Sequence, residues 1–275
     1  MSSDAAVTFA IISNAPAASA LLQSVCEELE KRSGRSITPL VLRSYDKLVN
    51  FMRAGGVHLA WAPPLIAIDL ERETHARIRL CARRAGRLDY MSALFAMKRS
   101  GLVKMSDLVG KRIAWVAKES SAGYVVPRMQ IAAEGLDPDA IFSEQTFRRT
   151  HEAVVRAVVS GEADVGATFA SFGANAKQPA TAGWLEASIP NEDVTVIATA
   201  GPIPSDVIAM SADLSEDTAS LLSDALRDLG QPVKLLLGAE SFEQPDIAHF
   251  DGLRKLVSAA ASLRGEDKTE VLPPK

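Results

Sequence analysis

Short apolar runs alternate with longer amphipathic stretches along most of the chain. The run Val7–Ile12 is typical of a buried strand, and the stretch Ala17–Lys31 carries Leu22, Val25 and Leu29 at helical spacing. Strands that alternate with helices in this way are typical of parallel sheets covered by helices. The pattern therefore predicts an α/β fold.

The same alternation predicts the bounds of the individual strands and helices. The predicted strands are Val7–Ile12, Ile37–Leu42, Val57–Trp61, Ile78–Cys81, Tyr90–Met97, Ile113–Val116, Ile141–Phe147, Ala163–Thr168, Val194–Thr199 and Val207–Met210. The predicted helices are Ala17–Lys31, Tyr45–Arg53, one after Pro63-Pro64, one after Gly123, Glu152–Val159, Asp217–Leu229 and Phe250–Leu263. Residues 266–275 are polar and end in prolines, so we expect a disordered tail there.

The composition narrows the range of functions. The chain has 275 residues, enough for one large or two modest α/β domains. The formal net charge is −4, and no basic cluster with interleaved aromatic residues is present, so nucleic-acid binding is not expected. No apolar run is long enough to span a bilayer, so we expect no direct membrane insertion.

The cysteines and histidines do not form a metal-binding pattern. Cys26 falls in a predicted helix and Cys81 in a predicted strand, so we expect two buried free thiols rather than a disulfide. Neither belongs to a CxxC or Cys/His spacing typical of zinc sites. We expect no metal site and no cofactor.

The first residues carry no export signal. Only "MSSDA" precedes the first strand pattern, with no basic region, long apolar segment or lipobox cysteine. As written, the sequence predicts a cytoplasmic protein. A chain trimmed of its leader would read the same and would be periplasmic.

Two stretches share one layout. "LVNFMRAGGVHLAWAPP" and "VVRAVVSGEADVGATFA" each run from an apolar helix through a glycine to a short strand and a loop. Two similar α/β halves would explain this, although helix–glycine–strand segments are common enough to recur by chance. In open parallel sheets, ligands bind beyond the carboxyl ends of the strands. The loops at those ends are polar and aromatic, as a small anionic ligand requires.

The stretch "WVAKESSAGYVVPRM", Trp115–Met129, joins a strand to a helix through small residues. Ser120, Ser121 and Gly123 stand where the helix begins. Free amide groups and the helix dipole favour an anion at such a position, and hydroxyls add donors. A serine that simply caps the helix is the commoner arrangement. Both interpretations stay open on the residues alone.

Several segments, in order, resemble the phosphonate/phosphite-binding proteins of ABC transporters. They are "DLVGKRIAWVAKESSAGYVVPRMQIAAEGLDPD", "THEAVVRAVVSGEADVGAT" and "GPIPSDVIAMSADLSED", with weaker matches at "SYDKLVNFMRAGGVHLAW" and "DYMSALFA". The resemblance runs from about Val7 to Val257. It implies a two-lobed type II periplasmic-binding-protein fold, in which two α/β lobes are joined by two crossover strands and ligand binds in the cleft between them.

The resemblance also implies lobe boundaries. The crossings would be Tyr90–Met97 and the stretch near Ile203–Met210. Lobe 1 would then comprise residues 1–96 and 206–275, and lobe 2 residues 97–205. Lobe closure on the ligand is the expected motion.

The resemblance implies a set of ligand-binding residues. They are Tyr45, Tyr90, Ser120, Ser121, His151 and Asp206, with Trp61, Ala122, Gly123, Thr168 and Phe169 as further cleft lining. Ala122 departs from the family pattern, which has a third hydroxyl there. A lost charge-assisted hydrogen bond is worth on the order of 1.5–3 kcal/mol, so a carboxylate or sulfonate ligand becomes an alternative to phosphonate.

Each of these residues also has a structural interpretation. Tyr45 and Tyr90 can pack on a lobe surface and in a core, and Asp206 can simply form a turn. In the family role, His151 begins a helix, where a charged imidazole is disfavoured, so we expect a neutral donor to the anion. Asp206 would receive the amino group of an aminoalkylphosphonate. Asp164 also matches the family pattern, and we expect it to be structural.

Three functions compete. The first is non-catalytic binding of a small anionic or zwitterionic ligand for an ABC permease, and the second is cytoplasmic sensing through a regulatory partner. The third is a cytosolic enzyme of the same fold, similar to the menaquinone-pathway lyases or dehydratases, acting on a small carboxylate. A serine, a histidine and an aspartate in one cleft also suggest a hydrolase, but "ESSAG" lacks the G-x-S-x-G spacing.

Overall fold

The computed structural model describes residues 6–13, 15–84, 86–173, 177–227 and 229–255. The strands are β1 (Val7–Ile12), β2 (Ile37–Leu42), β3 (Leu59–Ala62), β4 (Arg77–Arg83), β5 (Asp89–Met97), β6 (Arg112–Trp115), β7 (Glu144–Phe147), β8 (Val165–Phe172), β9 (Pro179–Ala182), β10 (Val194–Pro204), β11 (Val207–Met210) and β12 (Ser241–Glu243). The helices are α1 (Ala18–Ser33), α2 (Tyr45–Arg53), α3 (Pro64–Thr74), α4 (Val126–Ala133), α5 (His151–Ser160), α6 (Gly183–Glu186), α7 (Glu216–Arg227) and α8 (Gln231–Leu237).

The strands form two sheets, and each sheet defines one lobe. The first has the order β12-β4-β11-β3-β1-β2, with β1 parallel to β2 and β3, and β11 antiparallel to β3 and β4. The carboxyl ends of β1 to β4 therefore meet the start of β11 at one edge. Loops from this edge hold the polar residues of the first lobe.

The second sheet repeats this arrangement. Its order is β10-β5-β8-β6-β7, with β9 paired to β8. Strand β6 is parallel to β7 and β8, while β5 is antiparallel to both β8 and β10. The carboxyl ends of β6, β7, β8 and β10 and the start of β5 thus share one edge. The two α/β halves that the repeated layout suggested are present.

Side chains from both faces of each sheet are buried, which explains the nearly continuous apolar runs. In β1, Phe9 and Ile11 pack with Leu22 of α1, while Ala10 faces the opposite side and packs with Leu48 of α2. A separate cluster crosses between the lobes. This interlobe cluster comprises Leu65, Ile68, Ala122, Val126, Ile203 and Leu253.

The predicted fold class is confirmed, and two boundaries need correction. Strand β5 lies wholly in the second sheet, so the chain leaves the first lobe between Arg83 and Asp89, before the predicted boundary at residue 96. The strand predicted over Ile141–Phe147 begins only at Glu144, because the Ile141 amide donates to Asp137 O at 2.9 Å and its carbonyl accepts from the Gly110 amide at 2.7 Å, which holds Ile141 in a turn before the strand.

Other differences concern short elements and the end of the chain. Strands β9 and β12 and helices α6 and α8 were not predicted. The predicted helix Phe250–Leu263 extends past residue 255, so its second half lies outside the described residues. The predicted tail over residues 266–275 lies wholly outside them. Cys26 and Cys81 are buried free thiols, as predicted.

Candidate ligand-binding cleft

A cavity of about 580 Å³ lies between the two lobes, where their polar sheet edges face each other. Of the predicted site residues, the structure brings eight to its walls. They are Tyr45, Tyr90, Ser120, Ser121, Ala122, His151, Phe169 and Asp206. The cavity volume of about 580 Å³ falls in the range of small-molecule sites in proteins.

The loop after β6 closes into a π-helical turn, Ser121–Val125, that continues into α4. The Oγ of Ser120 accepts a hydrogen bond from the Gly123 amide at 3.0 Å, and the Val116 amide donates to the Gly123 carbonyl at 3.1 Å. From β5, the Ser92 hydroxyl donates to the Ala122 carbonyl at 2.8 Å. Ser120 is therefore a helix cap, and Ser92 fixes the turn from behind.

Ser121 differs from its neighbour. Its side chain lines the cavity and only 3% of the residue is exposed, yet its Oγ is buried and has no hydrogen-bond partner. The Ser121 hydroxyl lies beside the Tyr90 hydroxyl and acts to lower the pKa of Tyr90 as a weak hydrogen bond would, but the two groups do not meet normal hydrogen-bond geometry. A buried hydroxyl without a partner costs about 1–3 kcal/mol, so it normally has a ligand or solvent to bind.

His151 is the first residue of α5, which Thr150 caps by accepting from the Ala153 amide at 3.1 Å. Its Nδ1 lies 2.9 Å from Thr168 Oγ1, and its ring meets Phe169 edge-on with centroids 5.1 Å apart. Burial lowers the pKa of His151 to about 4, although the negative charge of Asp206 opposes this. His151 is therefore neutral at physiological pH.

The tautomer of His151 follows from the surroundings of Thr168. Thr168 is fully buried, and within the described residues its hydroxyl has only His151 Nδ1 as a partner. If Nδ1 carried the proton, the hydroxyl hydrogen of Thr168 would lack an acceptor in the described structure. The hydroxyl therefore donates to Nδ1, and the proton of the imidazole resides on Nε2.

We expect Thr168→Val to release this constraint. The valine keeps the shape of the side chain but removes the donor, so His151 should populate both tautomers and bind an anion about three- to tenfold more weakly. Ring-nitrogen chemical shifts would report the tautomer, and titration calorimetry the affinity. Thr146→Val in β7, which loses a side-chain bond to Ile113 outside the cleft, is the matched control. An unchanged tautomer in Thr168→Val would contradict the assignment.

Two tyrosines contribute neutral hydroxyls to the cleft. Tyr45 begins α2, and burial raises its pKa to about 12, with Asp206 and Glu119 adding to the effect. Tyr90 is the second residue of β5, and burial, with a contribution from Asp206, raises its pKa well above the usual range. Both phenols stay protonated and can donate to an anion.

Asp206 lies in the cleft wall just before β11. Its Oδ2 is 2.8 Å from Nη2 of Arg84, which follows β4 at the same sheet edge. Asp206, the carboxylate that was predicted to bind the amino group of a ligand, is thus already paired with Arg84 in the structure.

Three predicted lining residues lie behind the wall instead. Trp61 packs edge-on against Phe242 with ring centroids 5.9 Å apart, and the Arg84 guanidinium lies 5.5 Å from its ring. Its side chain faces the side of the sheet that packs against α1 and α7. Gly123 supports the turn through its backbone. Thr168 alternates with Phe169 in β8, so it points away from the cleft and supports His151.

Several charged residues of the cleft were missed by the sequence analysis. They are Arg84, Asp89, Glu119, Arg149, Glu186, Lys234 and Glu240. Arg84 follows the predicted strand Ile78–Cys81 at its carboxyl end, which is the signal that could have indicated it. Lys234 and Glu240 come from α8 and the loop after it, a region without a clear pattern in the sequence.

The cleft does not contain a nucleophile–base pair in the described residues. His151 makes no hydrogen bond to Ser120 or Ser121 there, and its Nδ1 is used by Thr168. Asp164, as expected, is structural: it accepts from the Arg112 amide at 2.9 Å and pairs with the Arg112 guanidinium at 2.7 Å. No group of three or more His, Cys, Asp or Glu in the described ranges could hold a metal.

Comparison with known protein families shows to which family the chain belongs. A sequence profile of the family described as "ABC transporter, phosphonate, periplasmic substrate-binding protein" matches residues 9–250. This chain belongs to that family. The motifs "SSAGYVVP", "THEAVV" and "IPSD" of this phosphonate-binding-family protein all lie in the matched span, and each supplies residues of the cleft.

Solved structures show the same fold. The binding protein component of an ABC phosphonate transporter from Pseudomonas aeruginosa is 20% identical, with a TM-score of 0.71 over 97% of this chain and 90% of that one. PhnD1 from Prochlorococcus marinus, in complex with methylphosphonate, is 16% identical, with a TM-score of 0.73 over 94% and 99%. A Xanthomonas citri protein bound to ATP is 17% identical, with a TM-score of 0.76 over 96% and 99%.

These likenesses confirm the two-lobed type II periplasmic-binding-protein fold. The family comprises substrate-binding proteins that bind small ligands and work with a permease. Across the part of the chain that the structure describes, no helix has both the length and the apolar character needed to cross a bilayer.

Proposed function

We propose that this protein binds a small phosphonate, or a closely related oxyanion, in the interlobe cleft and delivers it to an ABC permease. Binding is non-covalent, and the residues that hold the anion are Ser120, Ser121, His151, Tyr45 and Tyr90. The family membership and the composition of the cleft support this proposal.

The observation that carries the proposal is the buried hydroxyl of Ser121. It lies at the start of a helical turn, in the cavity wall, without a partner in the described protein. The Gly123 amide is bonded to Ser120 Oγ, but the first amides of a helix otherwise have no internal acceptors, and the helix dipole favours negative charge there. An oxyanion would satisfy all of these donors at once.

The other groups around this position each carry a hydrogen that they can donate to an anion. Ser120 accepts the Gly123 amide through its oxygen and keeps its own hydrogen to donate. His151 is neutral with a proton on Nε2, and both tyrosines remain protonated. Every group is thus a donor at neutral pH, which favours an oxyanion over a ligand that must itself donate.

Ala122 limits how many donors the turn offers. The alanine is 2% exposed and belongs to the interlobe cluster, so its methyl group packs between apolar side chains of both lobes. A carboxylate or sulfonate, which needs fewer donors, therefore belongs in any ligand screen beside the phosphonates.

A ligand screen tests the proposal. Thermal-shift assays with phosphate, phosphite, methylphosphonate, 2-aminoethylphosphonate, acetate and taurine should give the largest stabilisation with a phosphonate, since a ligand of the folded state raises the melting temperature. Calorimetry would then give the dissociation constants. Stabilisation by acetate or taurine alone would contradict phosphonate binding.

Ser121→Ala separates the role of the hydroxyl from its burial. We expect phosphonate affinity to fall about tenfold, because one charge-assisted hydrogen bond is lost. The ligand-free protein should become slightly more stable, because a buried donor without a partner is removed. Ser223→Ala in α7 is the control, since that buried hydroxyl donates to Ala219 O at 2.7 Å and should lose stability without affecting affinity. Equal affinity in Ser121→Ala and the wild type would contradict the assignment.

The cellular site follows from the transport role. We propose that the protein works in the periplasm, where the permease of such a system receives its ligand. Fractionation of the native cells with an antibody against this chain tests the location. Recovery with cytoplasmic markers alone would favour cytoplasmic sensing instead.

A further inference from the structure

Arg84 and Asp206 form an ion pair in the wall of the cleft. Nη2 of Arg84 lies 2.8 Å from Oδ2 of Asp206, and the two side chains are 35% and 22% exposed. Both line the cavity. The pair is therefore partly shielded from solvent, where charge–charge interactions are stronger than on an open surface.

The position of Arg84 is fixed by further contacts. Its Nη2 also donates to Leu237 O at 2.9 Å, and its Nε donates to Gly238 O at 3.2 Å. These carbonyls end helix α8, where the negative end of the helix dipole favours a cation. The guanidinium also lies over the ring of Trp61. Arg84 cannot leave Asp206 without losing these bonds as well.

The pair lies beside the proposed anion site. Both members act on the Tyr90 hydroxyl, where Asp206 raises the pKa and Arg84 lowers it, and Ser121 lies next to the same hydroxyl. Asp206 also acts on His151 and on Tyr45. The substituent of a bound phosphonate would thus be close to both charges.

Of the remaining charges of the cleft, Asp89 is as shielded as Asp206, with 21% of its side chain exposed, but it is paired with Arg87 at 2.6 Å. Arg149 and Lys234 have no ion-pair partner among the described residues, and neither do Glu119 and Glu186. All four are exposed, which screens their charges, although partial burial raises the pKa of Glu186 and the charge of Arg84 opposes that rise. The shielded charges that act on the Tyr90 hydroxyl, beside the proposed anion site, are those of Arg84 and Asp206.

We propose that Arg84 is a specificity-determining residue that selects phosphonates whose substituent is uncharged or anionic and rejects those that carry an ammonium group. The inference rests on the proposed function. An ammonium near Asp206 would meet a carboxylate that is already paired and would lie next to a fixed guanidinium. A methyl group meets neither penalty, and a carboxylate is attracted by Arg84.

Three probes test this in the wild-type protein: methylphosphonate, phosphonoacetate and 2-aminoethylphosphonate, measured by calorimetry. We expect the first two to bind at least about tenfold more tightly than the third. Equal or tighter binding of 2-aminoethylphosphonate would overturn the inference and leave the proposed function intact. Absence of binding by all three probes would overturn both.

Two variants then assign the selection to Arg84. Arg84→Met keeps the apolar stem over Trp61 and frees Asp206, so the preference should shift about tenfold or more toward 2-aminoethylphosphonate. Arg83→Met is the matched control, because Arg83 pairs with Glu243 and does not line the cavity. Unchanged preference in a folded Arg84→Met variant would overturn the inference.

Asp206→Asn provides a test that does not disturb the bonds of Arg84 to α8. With the carboxylate removed, the Arg84 charge is no longer offset, so phosphonoacetate should bind more tightly and 2-aminoethylphosphonate more weakly than to the wild type. If instead Asp206→Asn left phosphonoacetate unaffected while 2-aminoethylphosphonate lost binding, Asp206 would be acting alone and the role of Arg84 would be refuted.

Discussion

Gly123→Ala should reduce phosphonate affinity by about a hundredfold or more and destabilise the protein by about 1–3 kcal/mol. A Cβ at this position would lie 2.4 Å from Cγ2 of Val116, 2.6 Å from its Cβ and 2.8 Å from Ser120 Oγ. The turn cannot move away, because the Gly123 carbonyl and amide are bonded to Val116 and Ser120. Relief of the clash therefore displaces the hydroxyls of the anion site. Calorimetry and urea unfolding would measure the two effects.

The matched control is Gly252→Ala. Gly252 lies in an exposed helical segment, and a Cβ there meets no atom within 4 Å. Alanine should leave affinity unchanged and stabilise the helix slightly, by about 0.5–1 kcal/mol. Wild-type affinity in Gly123→Ala would show that the turn does not hold the ligand.

The free energy of unfolding should rise with pH between about 4 and 6.5 because of His151. Its pKa falls from 6.5 to about 4 on folding, so between these values the unfolded chain binds more protons than the folded one. Stability therefore increases with pH through this window and is fully present above pH 6.5. The whole effect is at most about 3 kcal/mol.

His151→Gln isolates this contribution. Carboxylates such as Asp164, whose pKa is lowered by Arg112, also stabilise the protein as the pH rises, but they are common to both proteins. The difference between the two unfolding curves across pH 4 to 6.5 reports His151 alone. Parallel curves would mean that His151 is not buried in its neutral form.

The sequence predicts the long elements well because their patterns are unambiguous. Val7–Ile12 is apolar throughout since both faces of β1 are covered, and α1 shows a clear helical stripe. The four-residue elements β9 and α6 leave no periodic signal. An apolar run such as Tyr90–Met97 reveals a strand but not which sheet it joins, so the first crossing was placed too late.

The site residues likewise fall into those that the sequence predicts and those that only the structure reveals. Ser120, Ser121 and His151 stand at element starts, where the sequence marks them. In β8, by contrast, neighbouring side chains point to opposite faces, and only the register tells that Phe169 faces the cleft while Thr168 does not. The role of Arg84 depends on α8, about 150 positions further along the chain, and no local pattern encodes such a contact.

The interlobe cluster bears on the speed of ligand exchange. Because its apolar side chains from both lobes pack together beside the anion site, the arrangement is stabilised by burial that does not depend on the ligand. Opening of the lobes would expose these apolar side chains to water, so the closed arrangement is favoured even without a ligand. A bound ligand adds its own contacts to that arrangement, which slows its release and lengthens its residence time.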